Sequence, residues 1–253
     1  MIRELKSWPY KDLVEETLMI RRISVMLCSI VAGCWAVCLS TLPVSAQAQL
    51  QVYGAWHCYT DGCSWASVPN MTTFDTDNHW MIDRNGNDTY LPSVNLVILS
   101  FVDPVKLMNL TTDSGDTNGI PVGMNTAVIN YFQGRGVRVM MSIGGASYKK
   151  NWDKALSTNP VQLGLNAAAA AKQFNVGMEI DYENSSTPNT GALAQFVSAY
   201  RSQIPYDATG ANYAARLTID LGDGDTYLTK LAGYAVTNWL QTSAPVHSSA
   251  ANW

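Results

Sequence analysis

A parallel α/β architecture, with strands inside and helices outside, is what the chain predicts from residue 49 onward. Two observations carry this. Nearly unbroken apolar runs at 94–102 and 137–143 have the character of strands buried on both faces. Stretches of helical character alternate with them. In order, the sequence predicts strands at 50–56, 94–102, 137–143, 176–182 and 215–221. Helices are expected at 125–133, 160–174, 191–203 and 226–240. Gly134 and Gly136 end the first helix, and Pro205 follows the third. Right-handed crossovers leave either an open doubly wound sheet or a closed barrel. Gly54 stands without a G-x-G-x-x-G pattern, which disfavours a dinucleotide fold. The stretch from 71 to 92, rich in Asp, Asn and Thr, is expected to be a long loop on the functional face.

The first 48 residues read as processing sequence rather than fold. Arg21 and Arg22 precede an apolar run over 23–42, and Pro43 leads into small residues. That order predicts a secretory signal peptide cleaved after Ala46 or Ala48, an exported protein, and no membrane association after cleavage. An uncleaved anchor is the competing reading, because the run approaches membrane-spanning length. The eighteen residues before Met19 are given no structural role. Cys28, Cys34 and Cys38 fall in this segment, so Cys58 and Cys63 are left to pair as a disulfide in an oxidising compartment. A metal site is not expected, since one Cys pair without His partners is an incomplete ligand set and His57 would point away from Cys58.

Composition narrows the partners. Hydrophobic residues make up 47%, enough for a large core, and charged residues only 14%. A net charge of −4 favours neither nucleic acid nor an anionic membrane surface. Eight Trp and twelve Tyr suit stacking on sugar rings, although most single aromatics are core residues.

The chemistry concentrates in Val176-Gly177-Met178-Glu179-Ile180-Asp181-Tyr182-Glu183. On a strand, Glu179, Asp181 and Glu183 share one face, and Met178, Ile180 and Tyr182 the other. Beyond residue 48 there are only two Glu, both in this row, beside fourteen Asp. Three carboxylates on an interior face repel one another and lose hydration, so a purely structural row is improbable. The row ends at the C-terminal tip of its strand, where barrel enzymes hold their chemistry. Ser142-Ile143-Gly144-Gly145 closes the preceding strand, and its two glycines let backbone pass close to a neighbour or ligand.

A strand ending in SxGG, followed by a strand with the DxxDxDxE acid pattern, resembles the family-18 glycoside hydrolases. These are chitinases, endo-β-N-acetylglucosaminidases and inactive lectin-like relatives. The resemblance runs through most of 50–245 and includes Tyr53 on the first strand and Phe101 on the second. It implies a partial (β/α)8 TIM barrel over 49–253, with about five β/α units. It also implies a secreted, monomeric hydrolase acting on β-1,4-linked N-acetylglucosamine such as chitin. Alternatives are action on N-glycan cores, or a fragment that binds sugar or is inert. By this resemblance Glu183 is the general acid/base and Asp181 orients the substrate's acetamido group, while Glu179 stands where the family has its middle Asp. Tyr53, Phe101, Ser142, Gly144, Gly145 and Tyr182 form the substrate-binding set. No metal or organic cofactor is implied.

The departures are specific. Val176 replaces the first acid, and Glu179 is one methylene longer than the expected Asp. The family's sixth-strand Tyr and eighth-strand Trp have no counterpart here, Trp253 being too early for the latter. An open five-strand arc without chitinolytic activity of its own is therefore the expectation, with the first strand unpaired on its outer side.

Overall fold

The computed structural model of the protein describes residues 52–220 except 90, 185 and 208. The segment expected to be a signal peptide, with Ala46 and Ala48, the helix expected over 226–240, and Trp253 lie outside the described residues. No helix among the described residues is long and apolar enough to cross a membrane.

The elements run β1 (Gly54–His57), α1 (Met71–Ile82), β2 (Leu96–Val102), α2 (Pro104–Met108), β3 (Asp116–Thr117), β4 (Ile120–Pro121), α3 (Thr126–Gln133) and β5 (Arg138–Gly144). Then follow α4 (Lys149–Thr158), α5 (Pro160–Phe174), β6 (Gly177–Asp181), α6 (Thr190–Gln203) and β7 (Leu217–Ile219). One five-stranded sheet has the order β1-β2-β5-β6-β7, with every neighbouring pair parallel. Strand order follows chain order without reversal. A doubly wound sheet would reverse at a switch point, so this is the winding of a barrel, with five parallel strands among the described residues. The small β3–β4 hairpin is antiparallel and separate from the sheet.

The two faces of the sheet differ, as the period of two requires. Val97, Leu99, Val139, Met141, Ile143, Met178 and Ile180 face the helices. There they join Phe132, Trp152, Leu163 and Phe196 in the main core. On the opposite face Leu96, Ile98 and Met140 form a small cluster of their own. Above that cluster the register aligns Ser100 with Ser142, Ser142 with Glu179, and Glu179 with Thr218. The concave face is thus apolar at its base and polar toward the C-terminal strand ends.

Side-chain caps start the helices. Asn70, Asp103, Asn125, Asn159 and Asn189 each accept a hydrogen bond from a first-turn N–H of the following helix. The loop expected over 71–92 is half helix, which corrects the sequence expectation. Asn70 caps α1 through Thr72 N and Thr73 N, while only Phe74, Met81 and Ile82 of its twelve residues are buried. So sparse a stripe hides the helical period. Phe74 fastens the helix by packing edge-on to Tyr131 and Phe132, 5.3 and 6.0 Å between centroids. The α2 and α4 helices and the β3–β4 hairpin are further elements absent from the sequence reading. In α4, Trp152, Ala155 and Leu156 make the buried i, i+3, i+4 face. Cys58 and Cys63 form the expected disulfide just after β1.

Candidate functional site

The acid row sits on the concave face, at the C-terminal end of β6. Glu179 and Asp181 are each only 4% exposed, and Glu183 follows the strand at intermediate exposure. Each carboxyl has a different environment.

Glu179 Oε2 accepts a hydrogen bond of 2.8 Å from Trp56 Nε1. Trp56 belongs to β1, with β2 and β5 between it and β6. In a flat sheet three strand spacings of about 4.8 Å would hold these side chains apart. The bond therefore records how strongly the sheet curls, as barrel strands do. Burial raises the Glu179 pKa, and the Trp56 donor pulls it back down. Ser142 lies beside Glu179 in register and acts in the same direction as Trp56, yet its hydroxyl makes no hydrogen bond of good geometry.

Replacing Trp56 by Phe keeps the ring and removes the donor, leaving a buried carboxylate oxygen without its partner. We expect Trp56→Phe to lower stability by about 1–3 kcal/mol, read from the urea midpoint. The comparable change at Trp80, 57% exposed on α1, should be near neutral. Equal effects at the two positions would show that the Trp56–Glu179 bond contributes nothing.

Asp181 is the most perturbed acid of the row. Burial, and then the charges of Glu183, Asp220 and Glu179, push its pKa up to about 8. Its Oδ1 has no hydrogen-bond partner. The folded chain keeps this proton up to about pH 8, whereas the unfolded chain releases it near its ordinary value of 3.8. Between those limits the folded state holds the extra proton. The stabilisation is complete below the unfolded pKa and is lost as pH rises through the folded one. Asp181→Asn should flatten the decline of stability between about pH 5 and pH 8 and raise Tm near pH 8 by roughly 5 °C or more. A variant that declined as steeply as the parent would refute the assignment.

The backbone beside Asp181 explains the two glycines. Gly145 N–H donates to Asp181 O at 3.0 Å, and Trp152 Nε1 donates to Ile143 O at 2.9 Å. Gly144 has φ +125°, and a Cβ there would overlap both Asp181 O and Trp152 Nε1. At Gly145, φ +89°, a Cβ would lie 2.9 Å from the Phe101 ring. That ring is brought over by the register break between Ser100 and Val102.

Phe101, Ser142, Gly144 and Gly145 are therefore gathered around Glu179 and Asp181. Two residues of the expected substrate-binding set are not. Tyr53 precedes β1, at the end of the sheet opposite the acids, and is 61% exposed. Tyr182 points to the helices and is buried. Its hydroxyl donates to Asp153 Oδ1 at 2.6 Å, and its ring packs 5.6 Å from Trp152. Val176, at the position of the family's first acid, is fully buried in the helix-side core.

Two residues at the site were missed in the sequence. Trp56 is the next-to-last residue of β1, and Asp220 follows β7. The Asp220 N–H donates to Ile180 O at 2.9 Å, and its charge acts on both Asp181 and Glu179. Both could have been found by asking which polar or aromatic residue ends each strand on the phase of the acid row. Away from the row, on α1 and the loop after it, His79, Asp83 and Asp88 bring ligand atoms within 4.8 Å of one another. Their His79 also pairs with Asp75 at 3.1 Å.

No family model matches the sequence, and the search of curated proteins returns no match. The chain is similar to two crystal structures of a chitinase from Rhizomucor miehei. One has 16% identity and a TM-score of 0.37, covering 58% of this chain and 58% of that one. The other has 15% identity and a TM-score of 0.35, covering 68% and 48%. The chain thus spans 48–58% of the length of the solved structures it matches. At this level the fold class rests on the strand order and winding described above.

Proposed function

We propose that this protein is an exported glycoside hydrolase that cleaves β-1,4-linked N-acetylglucosamine polymers by substrate-assisted, retaining chemistry. The observation that carries the reading is the unequal pair at the tip of β6. Asp181 is buried and holds its proton to about pH 8, and Glu183 stands beside it toward the open side. Two carboxyls in environments that separate their roles are the mark of acid/base work on a glycosidic bond. Export rests on the basic and apolar segment that ends near Ala46 and Ala48.

In this mechanism the proton held on Asp181 passes to Glu183, which gives it to the glycosidic oxygen as the bond to the anomeric carbon breaks, leaving Asp181 ionised. The carbonyl oxygen of the sugar's N-acetyl group forms the new bond to that carbon, giving an oxazolinium ion. Asp181 orients the acetamido group and faces the charge that develops on it. Water then adds at the anomeric carbon and gives its proton to Glu183, and the ring opens with the β configuration retained. The exposed Trp56 ring offers an apolar face for a pyranose on the same concave surface.

The test uses the full chain with N-acetylated chitin oligomers and their fully de-N-acetylated counterparts, following the anomeric protons by NMR. Cleavage of the acetylated oligomers alone, with the β-anomer appearing first, is expected, in place of the inactivity that the missing family residues imply, because Trp56 and Asp220 act on the acid row within the five strands. Initial α-anomer, equal cleavage of both series, or no cleavage of either would overturn the proposal.

A further inference from the structure

On the helix layer, the last turn of α1 and the loop after it gather a mixed nitrogen and oxygen cluster. His79 and Asp83 stand four residues apart, so they share one face of the helix end. Asp88 returns to them from the loop, in left-handed backbone at φ +57°. One ligand atom from each of the three lies within 4.8 Å of the other two. The loop leads into β2, and Ser93 N–H donates to Met81 O at 3.0 Å. The cluster therefore sits by the N-terminal ends of the strands, and the acid row is at the other end.

Both ring nitrogens of His79 face carboxylates. Nδ1 is 3.1 Å from Asp75 Oδ1, and an ionised carboxylate only accepts, so Nδ1 carries a proton. Nε2 faces Asp83 Oδ2 at 3.8 Å, too far for a hydrogen bond. An imidazolium held only by Asp75 would leave that gap unexplained. An ion between the two atoms fits it, since bonds of about 2.1–2.2 Å to each span the distance at an angle of roughly 120°. A carboxylate on Nδ1–H is also the usual support of an imidazole ligand, because it fixes the ring and leaves the Nε2 lone pair to the metal. Asp83 is held as firmly. It is 1% exposed, and its Oδ1 accepts from Asn85 N–H and the Thr89 hydroxyl, both at 3.2 Å. The end carbonyls of α1 add partial negative charge that favours a cation. Beside the cluster opens a cavity of about 420 Å³, lined by His79 and Asp88 together with Asp75, Asn130 and Arg135. It gives an ion entry, and room for water on its remaining positions. The charge of Arg135 falls on Asp75.

We propose that His79, Asp83 and Asp88 form a binding site for a divalent transition-metal ion of the zinc class, with Asp75 orienting the imidazole. One imidazole and two carboxylates suit such an ion, whereas Ca²⁺ and Mg²⁺ call for oxygen throughout. The exposed Asp88 side chain turns inward to close the set. The bound ion ties the loop to the end of α1. The site is independent of the proposed hydrolase activity.

The full chain, stripped of metal with a chelator, is titrated with Zn²⁺ while Tm is followed, and Mg²⁺ serves as the reference ion. A saturable rise in Tm of roughly 5 °C or more at a hundredfold excess over Kd is expected, with little response to Mg²⁺. Nitrogen NMR of the imidazoles should show His79 ligated at Nε2 and protonated at Nδ1. His79→Gln should abolish the rise. Asp88→Asn should fold like the parent, since the residue is exposed and Asn tolerates its left-handed backbone. It should weaken Zn²⁺ binding by at least about tenfold. A parent chain indifferent to Zn²⁺, or one that answers Mg²⁺ equally, would overturn the proposal. So would an undiminished Zn²⁺ response in Asp88→Asn, or ligation confined to another histidine.

Discussion

Gly144→Ala should leave the chain unable to fold stably, with a loss of at least roughly 3–4 kcal/mol. Two independent obstacles meet at this residue. Its φ of +125° is closed to a residue with a side chain, and the added Cβ would overlap the carbonyl of Asp181 and the indole nitrogen of Trp152. Neither neighbour is free to withdraw. Asp181 O accepts from Gly145 N–H, and Trp152 Nε1 donates to Ile143 O while its ring is fully buried. Pushing either away breaks a buried hydrogen bond or opens the core between α4 and the sheet. The effect is read as loss of cooperative unfolding, or as a large fall in the urea midpoint. Gly191→Ala on α6, where a Cβ meets nothing, is the control. If Gly144→Ala unfolded at the parental midpoint, the close approach of β5 to β6 described here would be wrong.

Most of the sheet was legible because buried parallel strands are continuous apolar runs. The strands expected at 94–102 and 137–143 correspond to Leu96–Val102 and Arg138–Gly144. Alternation along β6 also told which side chains would meet, with Glu179 and Asp181 on one face and Met178 and Ile180 on the other. The same rule puts Tyr182 on the helix side, where the structure has it. What failed was a reading that set family position above phase.

Other features depend on quantities no local pattern carries. The α1 helix lacks an apolar stripe, so its cap at Asn70 and one anchor, Phe74, had to outweigh a loop-like composition. Trp56 reaches Glu179 only because the sheet curls, and curvature belongs to the ensemble of strands. That contact also gives Glu179 a physical rationale. Its carboxylate is engaged by β1 and not by an acid at position 176, where Val176 is packed in the core. The extra methylene extends the carboxylate by about 1.5 Å into the concave space that Trp56 shares. Glu179→Asp shortens that reach and tests whether the longer side chain is matched to its indole partner.

Glu183→Gln is expected to lower kcat on chitin oligomers by on the order of 1,000-fold or more, with KM changed only slightly. Gln keeps the size and the hydrogen-bonding oxygen but has no proton to give the leaving oxygen and no basicity to accept one from water. Both halves of the proposed cycle use that carboxyl, so neither half substitutes for the other. Fold stability should be little affected, because Glu183 lies beyond the end of β6 at intermediate exposure. The change also removes one of the charges that hold the Asp181 proton. The pH at which Asp181 titrates, followed by carboxyl NMR, should therefore fall in the variant even though Asp181 itself is intact. That second readout separates two kinds of failure. Parental turnover together with a lowered Asp181 titration would mean that the pair is real but Glu183 is not the proton donor. An unchanged titration would mean that Glu183 and Asp181 are not neighbours in the folded protein.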